Sequence, residues 1–193
     1  MRKDLGDPTR LSSSAETAAA GPKGITPRPG QVICGNLNMR IDRNGVWHYQ
    51  GSPIGRKELV KLFASVLRRD AAGDYWLVTP AEIGRIEVED APFIAVELNR
   101  SGEGAEQVLS LRTNVGKIVT VDAAHPIRVV TEPGTGEPSP YVVMEGGVEA
   151  RIARAVYYDL VGLGREETRG GERMFGVWSS AAFFVLGRLE GDA

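Results

Sequence analysis

From Val32 onward, Leu37, Met39 and Ile41 alternate with Asn38, Arg40 and Asp42, the period-two pattern of a strand with one buried face. Arg43-Asn44-Gly45 follows. Asn-Gly tolerates the positive φ of a tight hairpin, so residues 46–49 are expected as the return strand, ending at Gly51. Ser52-Pro53 then carries a helix-start signal: a hydroxyl to cap free amides, then a proline with preset φ. Leu59, Phe63, Val66 and Leu67 fall on one helical face with Val60 beside them, while Lys57, Lys61 and Arg68 point outward. The Arg68-Arg69 pair suits the negative end of that helix. A turn around Gly73 leads into a strand at Tyr75–Val78.

Short segments rich in β-branched residues come next, near residues 84–89, 93–99, 107–112, 117–121 and Ile127–Thr131. Turn signals separate them at Asp90-Ala-Pro92, Ser101-Gly-Glu-Gly104, Asn114-Val-Gly116 and His125-Pro126. This spacing predicts an antiparallel meander that curls into a barrel or a strongly bent sheet. Residues 132–140 read as a loop. The last third predicts a strand at 141–144, a break at Gly146-Gly147, and an amphipathic helix over 148–163 with Ile152, Val156, Leu160 and Leu163 on one face. A charged loop over 164–171 and strands at 175–178 and 183–186 complete it. Both ends of the core thus carry strand, glycine, helix, loop, strand, a repeat of elements rather than of residues. The fold class is α+β. Two halves each contain strand–helix–strand, and the C-terminal half is a β-rich bent sheet or partial barrel with one helix.

Residues 1–31 read differently. Leu11–Ala20 could form a weak helix, but Gly21, Pro22, Gly24, Pro27, Pro29 and Gly30 follow. Such a stretch buries too little apolar surface to offset its ordering entropy, so a flexible leader is expected. The core then divides into 32–92 and 93–193. A chain of 193 residues, 42% apolar and 25% charged, suits a globular fold of this size. A formal net charge of −2 creates no global field for nucleic acid or an anionic membrane. No apolar run approaches the ~20 residues that span a bilayer. Cys34 is the single cysteine, so no internal disulfide or thiolate cage forms. With no secretory signal evident near Met1, a cytoplasmic protein is expected.

The stretch Cys34-Gly-Asn-Leu-Asn-Met-Arg-Ile41 leads into Asn44-Gly-Val-Trp-His-Tyr-Gln-Gly-Ser-Pro-Ile54. Then come Arg56, Leu59-Val60-Lys-Leu-Phe63, Leu67-Arg-Arg-Asp70, Leu77-Val-Thr-Pro80, Val88-Glu-Asp-Ala-Pro-Phe93 and Thr113-Asn114, with Glu149-Ala-Arg-Ile-Ala-Arg154 and Gly176-Val-Trp-Ser179 near the end. Together these resemble the bacterial family catalogued as domain of unknown function 1285, over roughly residues 34 to 187. The resemblance implies a duplicated core whose C-terminal half is similar to pleckstrin-homology domains, a binding site between the halves, and a signalling role. It carries no catalytic residues. The segment before Cys34 lacks the tryptophan-containing approach associated with the family.

Arg56 is expected in the first turn of the first helix, and Arg151 in a similar place in the second. There the helix dipole disfavours a cation by ~0.3–1 kcal/mol. A cation beside free amides makes an anion site. The competing reading is a structural ion pair with Glu87, Glu89, Asp90 or Glu149. Trp47, Tyr49, Tyr75 and Trp76 could stack on a base, but alternation favours core packing for them, and the same holds for Tyr157 and Trp178. Ser179 lacks the Gly-x-Ser-x-Gly elbow of a hydrolase. His125 with Asp122 could be a base and its orienter, but it sits in a turn before Pro126. His48 has no metal-ligand partner at suitable spacing. Glu87 and Glu89 share a strand face and are better placed to pair with arginine than to hold Mg²⁺. Gly116-Lys117 lacks a phosphate loop, and Cys34 lacks a base.

No catalytic residue, metal or cofactor is therefore assigned. The expected function is a ligand-binding protein, taking a small anionic or nucleotide-like ligand between its two halves through Arg56, Thr79, Thr113, Asn114 and Arg151. The alternative is a protein–protein adaptor.

Overall fold

The computed structural model describes residues 21–189. Its first sheet takes β1 (Val32–Ile41), β2 (Trp47–Tyr49), β3 (Ser52–Pro53), β4 (Leu67–Arg69), β5 (Tyr75–Val78) and β6 (Glu82–Val88). Their spatial order is β3-β2-β1-β6-β5-β4. The second sheet takes β7 (Phe93–Ser101), β8 (Val108–Thr113), β9 (Ile118–Thr120), β10 (Ile127–Thr131), β11 (Pro138–Val143) and β12 (Glu149–Ile152), ordered β10-β11-β12-β7-β8-β9. Run from the opposite edge, the second order repeats the first. In each unit two three-stranded antiparallel meanders are joined so that the first and last strands lie parallel at the centre. A third sheet is the antiparallel meander β13 (Arg165–Arg169), β14 (Glu172–Ser179) and β15 (Ala182–Arg188). Two α-helices, α1 (Lys57–Val66) and α2 (Arg154–Gly162), complete the described fold. It is α+β, with the second sheet curled into a half-barrel.

The first hairpin forms as its sequence predicts. Gly45 takes φ +74°, and the Asp42 carboxylate accepts the Asn44 and Val46 amides at 2.9 and 3.0 Å. The first helix starts later than expected. Gln50 and Gly51 both adopt positive φ in a two-residue turn, which commits Ser52-Pro53 to pairing with Tyr49 and His48. Arg56 becomes the N-cap and Lys57 opens the helix. Its apolar stripe packs Phe63 against Trp47, ring centroids 6.2 Å apart, and buries Ala64. It also ends sooner, because Leu67, Arg68 and Arg69 leave it to pair with Leu77, Trp76 and Tyr75. Cations still serve its last carbonyls, as the dipole requires. Arg68 donates to Ser65 and Leu67 at 3.3 and 2.7 Å, and Lys117 reaches Ala64 from the second sheet at 3.0 Å.

The helix expected over 148–163 is a strand followed by a shorter helix. Val148, Ala150 and Ile152 are buried alternately with half-exposed Glu149 and Arg151, a period-two pattern that places them in and beside β12. Helical spacing begins only with Val156 and Leu160, the buried positions of α2. Residues 138–140, expected in a loop, open β11, which pairs with β10. The charged stretch expected as a loop over 164–171 contains β13, stabilised by pairing with β14 and by the Glu166–Arg173 ion pair. The repeat also differs from the one expected. The two units are the six-stranded sheets, and their helices are not equivalent: α1 joins β3 to β4, whereas α2 follows β12.

One apolar core runs through both units, from Met39, Ile41 and Trp47 through Phe93, Leu109 and Leu111 to Val156, Leu160, Val177 and Leu186. Trp76 is buried as expected, as is Tyr75, whereas Tyr49 is exposed. The expected leader covers residues 1–31, of which 1–20 lie outside the described residues. The rest is tied down. The Lys23 amide donates to Asp70 at 2.9 Å, the Ala71 amide to the Lys23 carbonyl at 2.8 Å, and the Gln31 side chain to the Thr79 carbonyl.

Candidate functional site

The turn before β7 brings the two sheets together and gathers the charged groups. Asp90 accepts the Tyr141 hydroxyl at 2.7 Å and lies 3.4 Å from Arg151 Nε. Burial first, then the bond to Asp90, pushes the Tyr141 phenol up to about 12. Arg128 stacks over the Tyr141 ring at 4.5 Å and forks onto Glu149. Glu149 in turn lies 3.6 Å from Arg69 of the first sheet. Arg40 pairs with Glu89, whose other oxygen accepts the Arg43 amide at 2.9 Å. Every one of these carboxylates has a cation or hydroxyl partner, so the network is a seam between the units rather than an open reaction centre.

The five residues selected from the sequence do not converge. Arg56 is exposed and makes no ion pair among the described residues. Thr79 exchanges hydrogen bonds with Glu82 across the β5–β6 turn. Thr113 is 0% exposed and closes the β8–β9 turn on Lys117. Asn114 is a staple between the units: its carbonyl accepts the Ile94 amide at 3.1 Å and its amide reaches the Gly45 carbonyl at 3.4 Å. Arg151 lies on β12, not in a helix. It pairs with Asp90, one of the acids named as a structural partner, and donates to the Arg43 carbonyl at 2.8 Å.

Arg151 alone of the five lines a cleft described in the structure, one of about 440 Å³. Ile94, Pro138, Pro140, Ile152, Tyr157 and Tyr158 supply its apolar walls, and Arg154 and Glu137 its other charges. Arg154 is the first residue of α2, whose N-cap Ala153 provides no side-chain cap. Its Nε donates to the Tyr158 hydroxyl at 3.1 Å, and that bond, with the charge of Glu137 behind it, raises the guanidinium pKa. A cation here opposes the helix dipole, so an anion in the cleft would satisfy both. A second hollow of about 560 Å³ lies beside β9, lined by Lys117, Thr120, Asp122, His125 and Glu145 among others. Three of its polar side chains, Lys117, Asp122 and His125, are already engaged. Lys117 serves α1 and sits over the Phe93 ring at 5.1 Å, and burial, with Arg68 nearby, lowers its pKa. Asp122 accepts the His125 amide and ring nitrogen at 2.8 and 3.1 Å, forming the turn.

Ser179, the serine weighed as a hydrolase nucleophile, has only backbone partners and no base at its hydroxyl among the described residues. The Ser179 hydroxyl is buried, donating to the Val121 carbonyl at 2.6 Å and accepting the Leu109 amide at 2.9 Å. No group of three His, Cys, Asp or Glu is placed to hold a metal among the described residues.

Two family profiles match the chain in tandem: the N-terminal domain of unknown function DUF1285 over residues 29–91, and the C-terminal domain of the DUF1285 proteins over residues 92–186. The chain belongs to the DUF1285 family. A crystal structure of a DUF1285 family protein from Silicibacter pomeroyi DSS-3 is 42% identical with a TM-score of 0.76, covering 87% of this chain and 91% of that one. Another DUF1285 family protein, from Shewanella baltica OS155, is 30% identical with a TM-score of 0.53, covering 66% of this chain and 91% of that one. No curated protein matches. Within this family member, sequence reasoning missed Arg154, Glu137 and the two tyrosines as one constellation. The signal was the alternation Val148, Ala150, Ile152, which ends the strand at Arg154's doorstep and makes that residue, not Arg151, the helix-start cation.

Proposed function

We propose that this protein binds a small anionic ligand without transforming it, in the cleft beside the start of α2. The observation supporting this is the convergence of Arg151 and Arg154 on one mainly apolar cleft whose helix end lacks a side-chain cap. Its volume lies in the range of small-molecule sites, about 300–1,000 Å³. Arg151 also touches the Arg43 carbonyl of the first unit, so occupancy of the cleft would be felt at the seam; that is how a signalling role would operate. The exposed, free Cys34 fits a reducing, cytoplasmic setting. A thermal-shift screen of carboxylated and phosphorylated metabolites tests the proposal. At least one should raise Tm in the wild type and lose that effect in Arg154→Ala, whose own Tm should stay near wild type because the side chain is exposed. A panel without any stabilising anion rejects it.

The adaptor alternative has one observation in its favour. Ile118 is 68% exposed on β9, an edge strand of the second sheet, where a partner's extended segment could add. Capture of a partner that Ile118→Lys abolishes and Arg154→Ala leaves intact would favour it.

A further inference from the structure

Resting on the anion-binding reading of the α2 cleft, we infer that its ligand is an aromatic or heteroaromatic monoacid whose acid group pairs with Arg154 beside the unpaired Glu137. The charge balance of the cleft limits how much anion it can hold. Arg151 is compensated by Asp90 at 3.4 Å and gives a further bond to the Arg43 carbonyl. Arg154 has no carboxylate within ion-pair distance among the described residues; its one side-chain bond goes to the Tyr158 hydroxyl. Glu137 is the single acid lining this cleft. It stands at the end of the β10–β11 connection, its backbone held by the Glu132 amide at 2.9 Å and by Thr135 at 3.3 Å, with no side-chain hydrogen bond among the described residues.

The cleft therefore offers one uncompensated guanidinium and holds one loosely tethered internal carboxylate near it. A ligand with a single negative charge neutralises Arg154, and repulsion from Glu137 in the same cleft disfavours any further negative charge. A triphosphate brings more charge than the guanidinium and helix end can neutralise. The walls define the rest of the ligand. Pro138 and Pro140 present rigid apolar rings, and Tyr157 and Tyr158 supply flat aromatic surface, with Ile94 and Ile152 also lining the cleft. Stacking on the two tyrosine rings favours an aromatic ring over a saturated one. The nucleotide-like ligand expected from the sequence is thereby narrowed to its ring-plus-one-charge component.

Isothermal titration of the full chain with benzoate, cyclohexanecarboxylate, inorganic phosphate and ATP tests the inference, in wild type, Glu137→Gln and Arg154→Ala. Benzoate should bind more tightly than the other three. Glu137→Gln should tighten benzoate about three- to tenfold, the scale of one unit charge a few ångströms away in a half-wet site. Arg154→Ala should abolish the binding. Equal or tighter binding of ATP or cyclohexanecarboxylate overturns the inference while leaving anion binding in place. So does a Glu137→Gln variant that binds benzoate no better than wild type. No heat from any probe, even in Glu137→Gln, overturns both the inference and the reading beneath it.

Discussion

The two six-stranded sheets share one strand order and differ in what covers them. In the first, the connection between β3 and β4 is α1, whose Phe63 packs on Trp47 within the same unit. In the second, the corresponding connection carries only the Asp122–His125 turn. Its cover comes from farther along the chain: Val156 and Leu160 of α2, and Val177, Phe184 and Leu186 of the third sheet, all in the common core. The helix is therefore not what sets the strand order. Antiparallel hairpins and the parallel closing pair do that in both units. Once the order is set, the cover can vary, and the α2 cleft lies in the cover that the first unit lacks.

The largest test of this comparison asks whether the units are independent. Phe93 is 0% exposed at the start of β7 and belongs to the shared core. Phe93→Ala should cost about 3–5 kcal/mol and lower hydrogen-exchange protection equally at Tyr75–Val78 of β5 and Val108–Thr113 of β8. Wild-type protection retained in β5 would mean two separately folding units.

Next in size is the difference in how the units are knotted. Asp70 in the first accepts the Lys23, Ala72 and Asp74 amides and the Trp76 indole, all between 2.9 and 3.0 Å. Burial raises its pKa, but those four donors outweigh it and hold the carboxyl below its ordinary value. The buried ties of the second unit are neutral instead, Gln107 donating to the Trp178 carbonyl at 2.7 Å and Ser179 of the third sheet to the Val121 carbonyl, while its own turn carboxylate, Asp122, is half-exposed. A depressed folded pKa gives stability that is complete above the unfolded pKa and lost as pH falls through the folded one. As pH falls below about 4, the ordinary carboxylate value, β5 should therefore lose exchange protection before β8. Asp70→Asn turns an amide donor toward two N–H donors, and should cost about 2–3 kcal/mol at pH 7, a deficit that shrinks as the wild type is acidified. A deficit independent of pH counts against this account.

The smallest effect separates a docked turn from a free one. Gly45 and Gly116 both have positive φ, at +74° and +85°. A Cβ on Gly45 would meet Asn114 Nδ2 at 2.8 Å and Ile94 Cγ1 at 3.0 Å, whereas one on Gly116 meets nothing within 4 Å. Gly116→Ala should cost about 1 kcal/mol for the backbone conformation alone, and Gly45→Ala about 2 kcal/mol because the other unit must also move. Equal losses in urea denaturation would mean that the Gly45 turn is not held against Asn114.

Local patterns carried the strands: Tyr75–Val78 and Ile127–Thr131 were legible to the residue because alternation and turn chemistry lie within a few positions. The strand order was not. It depends on Val32 meeting Glu82 and Phe93 meeting Ala150, pairings that no local window contains. The strand β13 was hidden for a different reason. Arg165, Glu166, Thr168 and Arg169 are all exposed, so it has no apolar face to announce it, and its order comes from pairing with β14. In the site, Arg151 was legible as a cation near a helix start. Arg154 was missed because the helix was begun six residues early, and the contribution of Glu137 depends on β11 bringing its end of a loop against α2.

The parallel closing pairs also decide how the molecule carries load. Each unit is entered on one central strand and left on its parallel neighbour, so its two ends emerge at opposite ends of one ladder. Tension between those ends slides the strands past each other and loads their hydrogen bonds together, in shear, instead of unzipping them singly. The chain is thus two shear clamps in series. The first is held by six residue pairs, from Val32↔Glu82 to Ile41↔Val88, and the second by three, from Ala150↔Phe93 to Ile152↔Ala95. Under a force applied between the start of β1 and the end of β12, the second clamp should give way first.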